Sequence, residues 1–110
     1  MNKNQISELL AQIGINPAYK GYSYLIHVIY LASSEGDGTF LTLKRLYADT
    51  SQHFNVSPDS IQHSVRTLLD AYWNQDNTKY FYDTVKYPVH GPLPPKEFIS
   101  VLSNYIRRKQ

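Results

Sequence analysis

The run from Phe40 to Trp73, FLTLKRLYADTSQHFNVSPDSIQHSVRTLLDAYW, constrains the fold more than any other part of the chain. Apolar side chains recur at Phe40, Leu43, Leu46 and Tyr47, the spacing of one helix face. Phe54, Asn55 and Val56 close that helix, with Asn55 suited to the left-handed conformation of a helix end. Ser57 can accept a hydrogen bond from an amide of a following helix, and Pro58 suits its first position because no N–H is needed there. A second helix therefore starts at Ser57. Its apolar stripe is Ile61, Val65, Leu68, Leu69 and Tyr72, while Asp59, Gln62, His63, Arg66 and Asp70 fall on the opposite face. Two helices joined by a short turn, the second with hydrogen-bonding side chains in its early turns, have the layout of a helix-turn-helix over about 40–73. In that motif the second helix, here about 58–73, enters the major groove of DNA. An ordinary helical hairpin with one solvated face shows the same pattern.

Composition narrows the classes. At 110 residues, 42% apolar and 14% aromatic, the chain can build the core of one domain. Ten tyrosines against one methionine suggest a core with polar edges. No apolar run approaches the ~20 residues that span a bilayer, and MNKNQISELL has no signal-peptide pattern, so a cytoplasmic protein without a membrane partner is expected. The absence of cysteine excludes disulfides, thiol catalysis and cysteine-ligated zinc, and fits a reducing compartment. A formal charge of +2 is a weak basic bias that permits a nucleic-acid partner without announcing one.

In chain order, Ile6, Leu9, Leu10 and Ile13 mark a first short helix stopped by Gly14, with Asn4 or Ser7 as cap-like residues at its start. Pro17 and Gly21 mark a connection. Tyr22 to Ser33, YSYLIHVIYLAS, is apolar around most of its circumference and belongs at the centre of the core. His27 within it reads as a hydrogen-bonded or edge-exposed core histidine, with no partner histidine at helical spacing. Gly36 and Gly38 make a loop, and Gly38 or Thr39 could cap the helix that follows. Asn74 to Asn77 read as a helix end and turn, and Tyr80, Phe81 and Tyr82 fit either a helical turn or an extended piece. Pro95 can open a last amphipathic helix with Phe98, Val101, Leu102, Tyr105 and Ile106 on its apolar face. Its terminal Arg107, Arg108 and Lys109 oppose the negative end of the helix dipole and are also within the chemistry of phosphate contact.

Signals for catalysis are missing. The histidines His27, His53, His63 and His90 show none of the spacings used by zinc sites, and acidic residues are scattered singly. No glycine-rich phosphate loop, paired carboxylates or activated serine can be nominated. The chain is read as a non-enzyme with no cofactor, no metal and no small-molecule substrate.

An ordered set of residues carries a family likeness: Ile13-Gly14-Ile15, Lys20-Gly21-Tyr22 with Tyr24-Leu25, Leu46-Tyr47, Phe54-Asn55, Ala71 with Trp73, and Glu97-Phe98-Ile99. The chain resembles the C-terminal DNA-binding effector domain of the stage zero sporulation response regulator, the master transcription factor of spore formation. The likeness runs from about Ile6 to Ile106 and can be followed without a gap from Ile6 to Asn77. It implies an all-α single domain of about six helices containing a helix-turn-helix, which binds a short duplex box of the TGTCGAA type, often as tandem copies. It also implies an effector domain standing alone, either excised or free-standing, since the receiver domain of the family is not in this sequence.

On the recognition helix the likeness breaks down. Arg66 keeps the family's arginine, but Ser60 and His63 stand where the family has arginine and Gln62 where it has glutamate. Arginine reads guanine through a bidentate fork and glutamine prefers adenine, so the box differs from the family's or is held more weakly. The leading expectation is a transcriptional regulator that binds duplex DNA sequence-specifically, with a homodimer on tandem sites. Gln62, His63 and Arg66 are the candidate base contacts. Ser57, Asp59, Ser60 and Thr67 are candidates for the groove margin or phosphate, with Lys20, Lys44 and Arg45 as further phosphate candidates. The other expectation is a protein-interaction module that kept the fold, lost base reading and modulates a full-length relative.

Overall fold

A computed structural model describes residues 2–34 and 42–109. Its elements are α1 (Lys3–Ile13), α2 (Gly21–Ser34), α3 (Leu43–Phe54), α4 (Pro58–Asn74), α5 (Thr78–Val85) and α6 (Pro95–Lys109), with no strand among the described residues. The expected all-α fold is what these elements build.

Each boundary has a local chemical cause. The side chain of Asn2 accepts from the Gln5 amide at 2.9 Å while the Gln5 side chain accepts from the Asn2 amide at 3.0 Å, a reciprocal capping box. Asn2 therefore starts α1, ahead of the expected Asn4 or Ser7; those two residues lie inside the helix. Gly14 ends α1 at φ 94°, and the amides of Gly14 and Ile15 return to the carbonyls of Ala11 and Leu10. Thr42 caps α3 by accepting from the Arg45 amide at 3.1 Å, so the helix begins at Leu43, later than the expected Phe40. Gly36, Gly38, Thr39 and Phe40, on which the earlier start and caps were expected, lie outside the described residues. The open choice at Tyr80 to Tyr82 resolves as helix, since all three lie in α5, which ends where Lys86 adopts φ 61°.

α2 is the central element, packing against α1, α3, α4 and α6. Its side chains Leu25, Val28 and Ile29 are fully buried, as its nearly all-round apolar sequence requires. The start of α2 lies against the backbone of α4: a Cβ added at Gly21 would stand 2.3 Å from the Ser64 carbonyl oxygen. Only glycine allows so close an approach. A second junction joins the ends of three helices. The Tyr72 hydroxyl donates to the Ile13 carbonyl at 2.6 Å, and buried Asn77 donates from Nδ2 to the Tyr72 carbonyl at 2.7 Å. Thus α1, α4 and the entry to α5 share one buried polar knot whose groups satisfy one another. Trp73, Phe81 and Phe98 pack beside it with ring centroids 5.6–6.1 Å apart, tying α4, α5 and α6 together. At the other end of the bundle Arg107 donates to the Ala32 carbonyl of α2 and, at 3.0 Å, to Asn104 Oδ1. This terminal cation is held by the fold and is not a free phosphate contact.

Candidate nucleic-acid interface

The connection between α3 and α4 is as short as its sequence suggests. Asn55 adopts φ 57° and ψ 47°, and the amides of Asn55 and Val56 bond back to the carbonyls of Gln52 and Ser51. This closes α3 in the manner of an asparagine C-cap. Ser57 accepts from the Ser60 amide at 3.1 Å, and Pro58 opens α4. The chain thus passes from α3 into α4 within Asn55, Val56 and Ser57.

On α4, Ile61, Val65, Leu68, Leu69 and Tyr72 are buried, and Asp59, Gln62, His63, Arg66, Thr67 and Asp70 are exposed. Gln62, His63 and Arg66 share one exposed stripe, in which Arg66 neighbours Gln62 at i, i+4 and His63 at i, i+3. Asp59 and Asp70 stand toward its two ends. The stripe is therefore a central group of hydrogen-bond donors and acceptors bracketed by carboxylates. Across the helix pair the Arg66 guanidinium acts on Tyr47 of α3. Burial pushes the Tyr47 hydroxyl up to about 12, and the nearby Arg66 charge partly opposes that rise.

Other candidate residues are partly committed to the fold. The Ser57 hydroxyl, while accepting from the Ser60 amide, donates to Ser60 Oγ at 3.0 Å, so both serines serve the cap of α4. Pro58 has no N–H, and the Ile61 amide bonds to the Ser57 carbonyl at 3.2 Å. Among the described residues this leaves the Asp59 amide as the unpaired donor of the first turn, next to its own carboxylate. Arg45 lies 3.9 Å from Asp49 in an exposed i, i+4 pair, and Lys44 is exposed beside it in the first turn of α3. Lys20 is exposed and immediately precedes Gly21, at the point where α2 touches α4 beside Ser64. No described contact joins Lys20, Lys44 or Arg45 to the Gln62, His63 and Arg66 group.

Sequence spacing could not bring out the hydroxyl–hydroxyl bond that ties Ser60 into the Ser57 cap, or the electrostatic link between Arg66 and Tyr47. Nor could it reveal that His27 stacks on His53 with ring centroids 4.1 Å apart, because the two histidines sit on different helices. Among the described residues no cluster of three or more His, Asp or Glu side chains is placed to hold a metal ion, and no helix is long and apolar enough to cross a membrane.

The family model described as Sporulation initiation factor Spo0A C terminal matches residues 6–106. The chain belongs to this family. The Spo0A C-terminal family is one of DNA-binding effector domains, not of enzymes, and its general activity is DNA binding. The match covers α2 to α5 in full and most of α1 and α6, starting inside α1 and ending inside α6. The resemblance read from the sequence over Ile6 to Ile106 has the same span, and the six-helix all-α fold agrees with it.

Proposed function

We propose that the domain is a sequence-specific transcriptional regulator in which α3, the turn at Asn55 to Ser57 and α4 form a helix-turn-helix, with α4 in the major groove. The observation that carries this reading is the exposed stripe of Gln62, His63 and Arg66 on a helix held rigidly by its buried face. Arg66 supplies a bidentate fork for guanine, Gln62 an amide matched to adenine, and His63 a single hydrogen bond. Thr67 and Asp59 lie at the margin of the groove. Lys20, Lys44 and, after exchanging Asp49 for phosphate, Arg45 supply charge for the DNA backbone. Ser57 and Ser60 act through the cap and hold the start of α4 in place. Two copies on tandem boxes would bind as a homodimer, each gaining from the other's local concentration. With DNA as its target, the domain is proposed to act in the cytoplasm.

A second reading is favoured by the carboxylates at both ends of the stripe and the pairing of Arg45 with Asp49. Both weaken attraction to phosphate. On that reading the same face docks on a protein, such as a full-length relative.

Selection from a randomised duplex pool at low salt, followed by anisotropy titration with wild type and Arg66→Ala, separates the two. For a base-reading helix we expect an enriched box. Arg66→Ala should lower its affinity by roughly 5–150-fold, the equivalent of ~1–3 kcal/mol, and relax preference at one base position. Affinity should also fall with salt, with a slope of about 0.9 per phosphate contacted. No enrichment and no salt-dependent binding would sink the DNA reading in favour of the interaction module.

A further inference from the structure

The contact between α2 and α3 contains a pair of imidazoles from different helices. His27 of α2 and His53 of α3 stack with ring centroids 4.1 Å apart and planes 15° apart. Phe54 stands nearly perpendicular to both, its ring centroid 5.7 Å from His27 and 4.9 Å from His53. His27 is only 7% exposed, and its Nδ1 is buried without a hydrogen-bond partner. His53, in the last turn of α3, is exposed.

We propose that the stacked His27 and His53 pair is a proton-sensitive latch that seats α3 on α2, so that acidification releases α3 and loosens the α3–turn–α4 unit. A neutral imidazole fits this site as a flat ring among rings. A protonated one carries two N–H donors and a charge, and the buried Nδ1 has no acceptor to meet. The charged groups that act on His27 are few. From α1, Lys3, resting 5.5 Å from the Tyr30 ring centroid, opposes protonation; from α3, His53 opposes it and Asp49 favours it. Asp49 is shared with Arg45. α4 and α6 also pack on α2, and they contribute no charge to the surroundings of His27 among the described residues. Burial first, then Lys3 and His53, lower the His27 pKa from 6.5 to about 4.

The sign follows from linkage. The docked state holds His27 neutral and the undocked state restores its ordinary affinity for protons, so docking is fully favoured above about pH 6.5 and weakens as pH falls toward about 4. Between pH 7 and pH 5.5 the population of undocked α3 should rise about eightfold.

Amide hydrogen exchange of α3 in the free protein at these two pH values, corrected for intrinsic exchange, tests the latch. The expected result is the eightfold rise in wild type and none in His27→Phe, which keeps a ring against His53 and Phe54 but cannot be protonated. An NMR titration of the wild-type His27 imidazole is the independent check, needed if His27→Phe does not fold. Titration of folded His27 near the ordinary value, or pH-independent opening of α3 in wild type, overturns the proposal. The consequence for DNA rests on the reading given above: binding to a selected box should weaken at pH 5.5 in wild type more than in His27→Phe. Absence of any duplex binding would reject that reading alone, because the exchange experiment contains no DNA.

Discussion

Substituting Gly21 by alanine probes the contact that sets the position of α4. The added Cβ would lie 2.3 Å from the Ser64 carbonyl oxygen, 2.7 Å from the Ser64 carbonyl carbon and 3.1 Å from the Val65 amide nitrogen. All three are backbone atoms of a regular helix, so no side chain can rotate away. The two helices would have to part by roughly 1 Å before ordinary van der Waals contact is restored. Overpacking of this kind costs ~1–3 kcal/mol. The helix-forming advantage of alanine over glycine, at most about 1 kcal/mol within a helix, is smaller at the first helical position. With an unfolding entropy of about 2.1 cal/mol/K per residue over 110 residues, the loss corresponds to a Tm lowered by roughly 4–13 °C. Thermal unfolding followed by circular dichroism measures this directly. Gly91→Ala is the control, since a Cβ there meets nothing within 4 Å and should change stability by no more than about 0.5 kcal/mol. Ser64 sits next to His63, so the displacement also reaches the exposed stripe, and Gly21→Ala should bind a selected duplex less well even below its Tm. An unchanged or raised Tm for Gly21→Ala would refute the reasoning, because the two helices could not then meet backbone to backbone at this point.

Two further substitutions test local devices. Ser57→Ala removes the acceptor for the Ser60 amide and should destabilise the domain by about 1 kcal/mol in denaturant unfolding; an unchanged midpoint would mean that the cap contributes nothing. Tyr72→Phe keeps the ring but leaves the buried Ile13 carbonyl without its 2.6 Å donor, so a loss of roughly 1–3 kcal/mol is expected. Hydrogen exchange should place that loss at the α1 and α4 ends, and a uniform change along the chain would argue against the knot.

How much was legible beforehand depended on the range of the interaction involved. Asn55, Ser57 and Pro58 punctuate the chain through contacts within a few residues, and such contacts are written directly in the sequence. The apolar period of α4 likewise showed which of its side chains would be buried, and hence that Gln62, His63 and Arg66 would share the exposed face. Misplaced starts had the same local origin. Asn2, Asn4 and Ser7 are all capable caps for α1, and reciprocal bonding with Gln5 selects Asn2. For Tyr80 to Tyr82 no period was visible, because the helix is short and buries only Phe81 and Val85.

By itself, then, the sequence determined an all-α chain of the Spo0A C-terminal family, the position of the α3 to α4 turn, and the chemical identity of the exposed stripe. The tertiary structure alone decided which of those groups are available. It joined His27 to His53 and Tyr72 to Ile13 across helices, brought Gly21 against Ser64, and set Arg107 on the end of α2. Helical spacing encodes the face on which a residue lies. The partner that meets that face depends on how the helices cross, and crossing is settled by packing of the whole core.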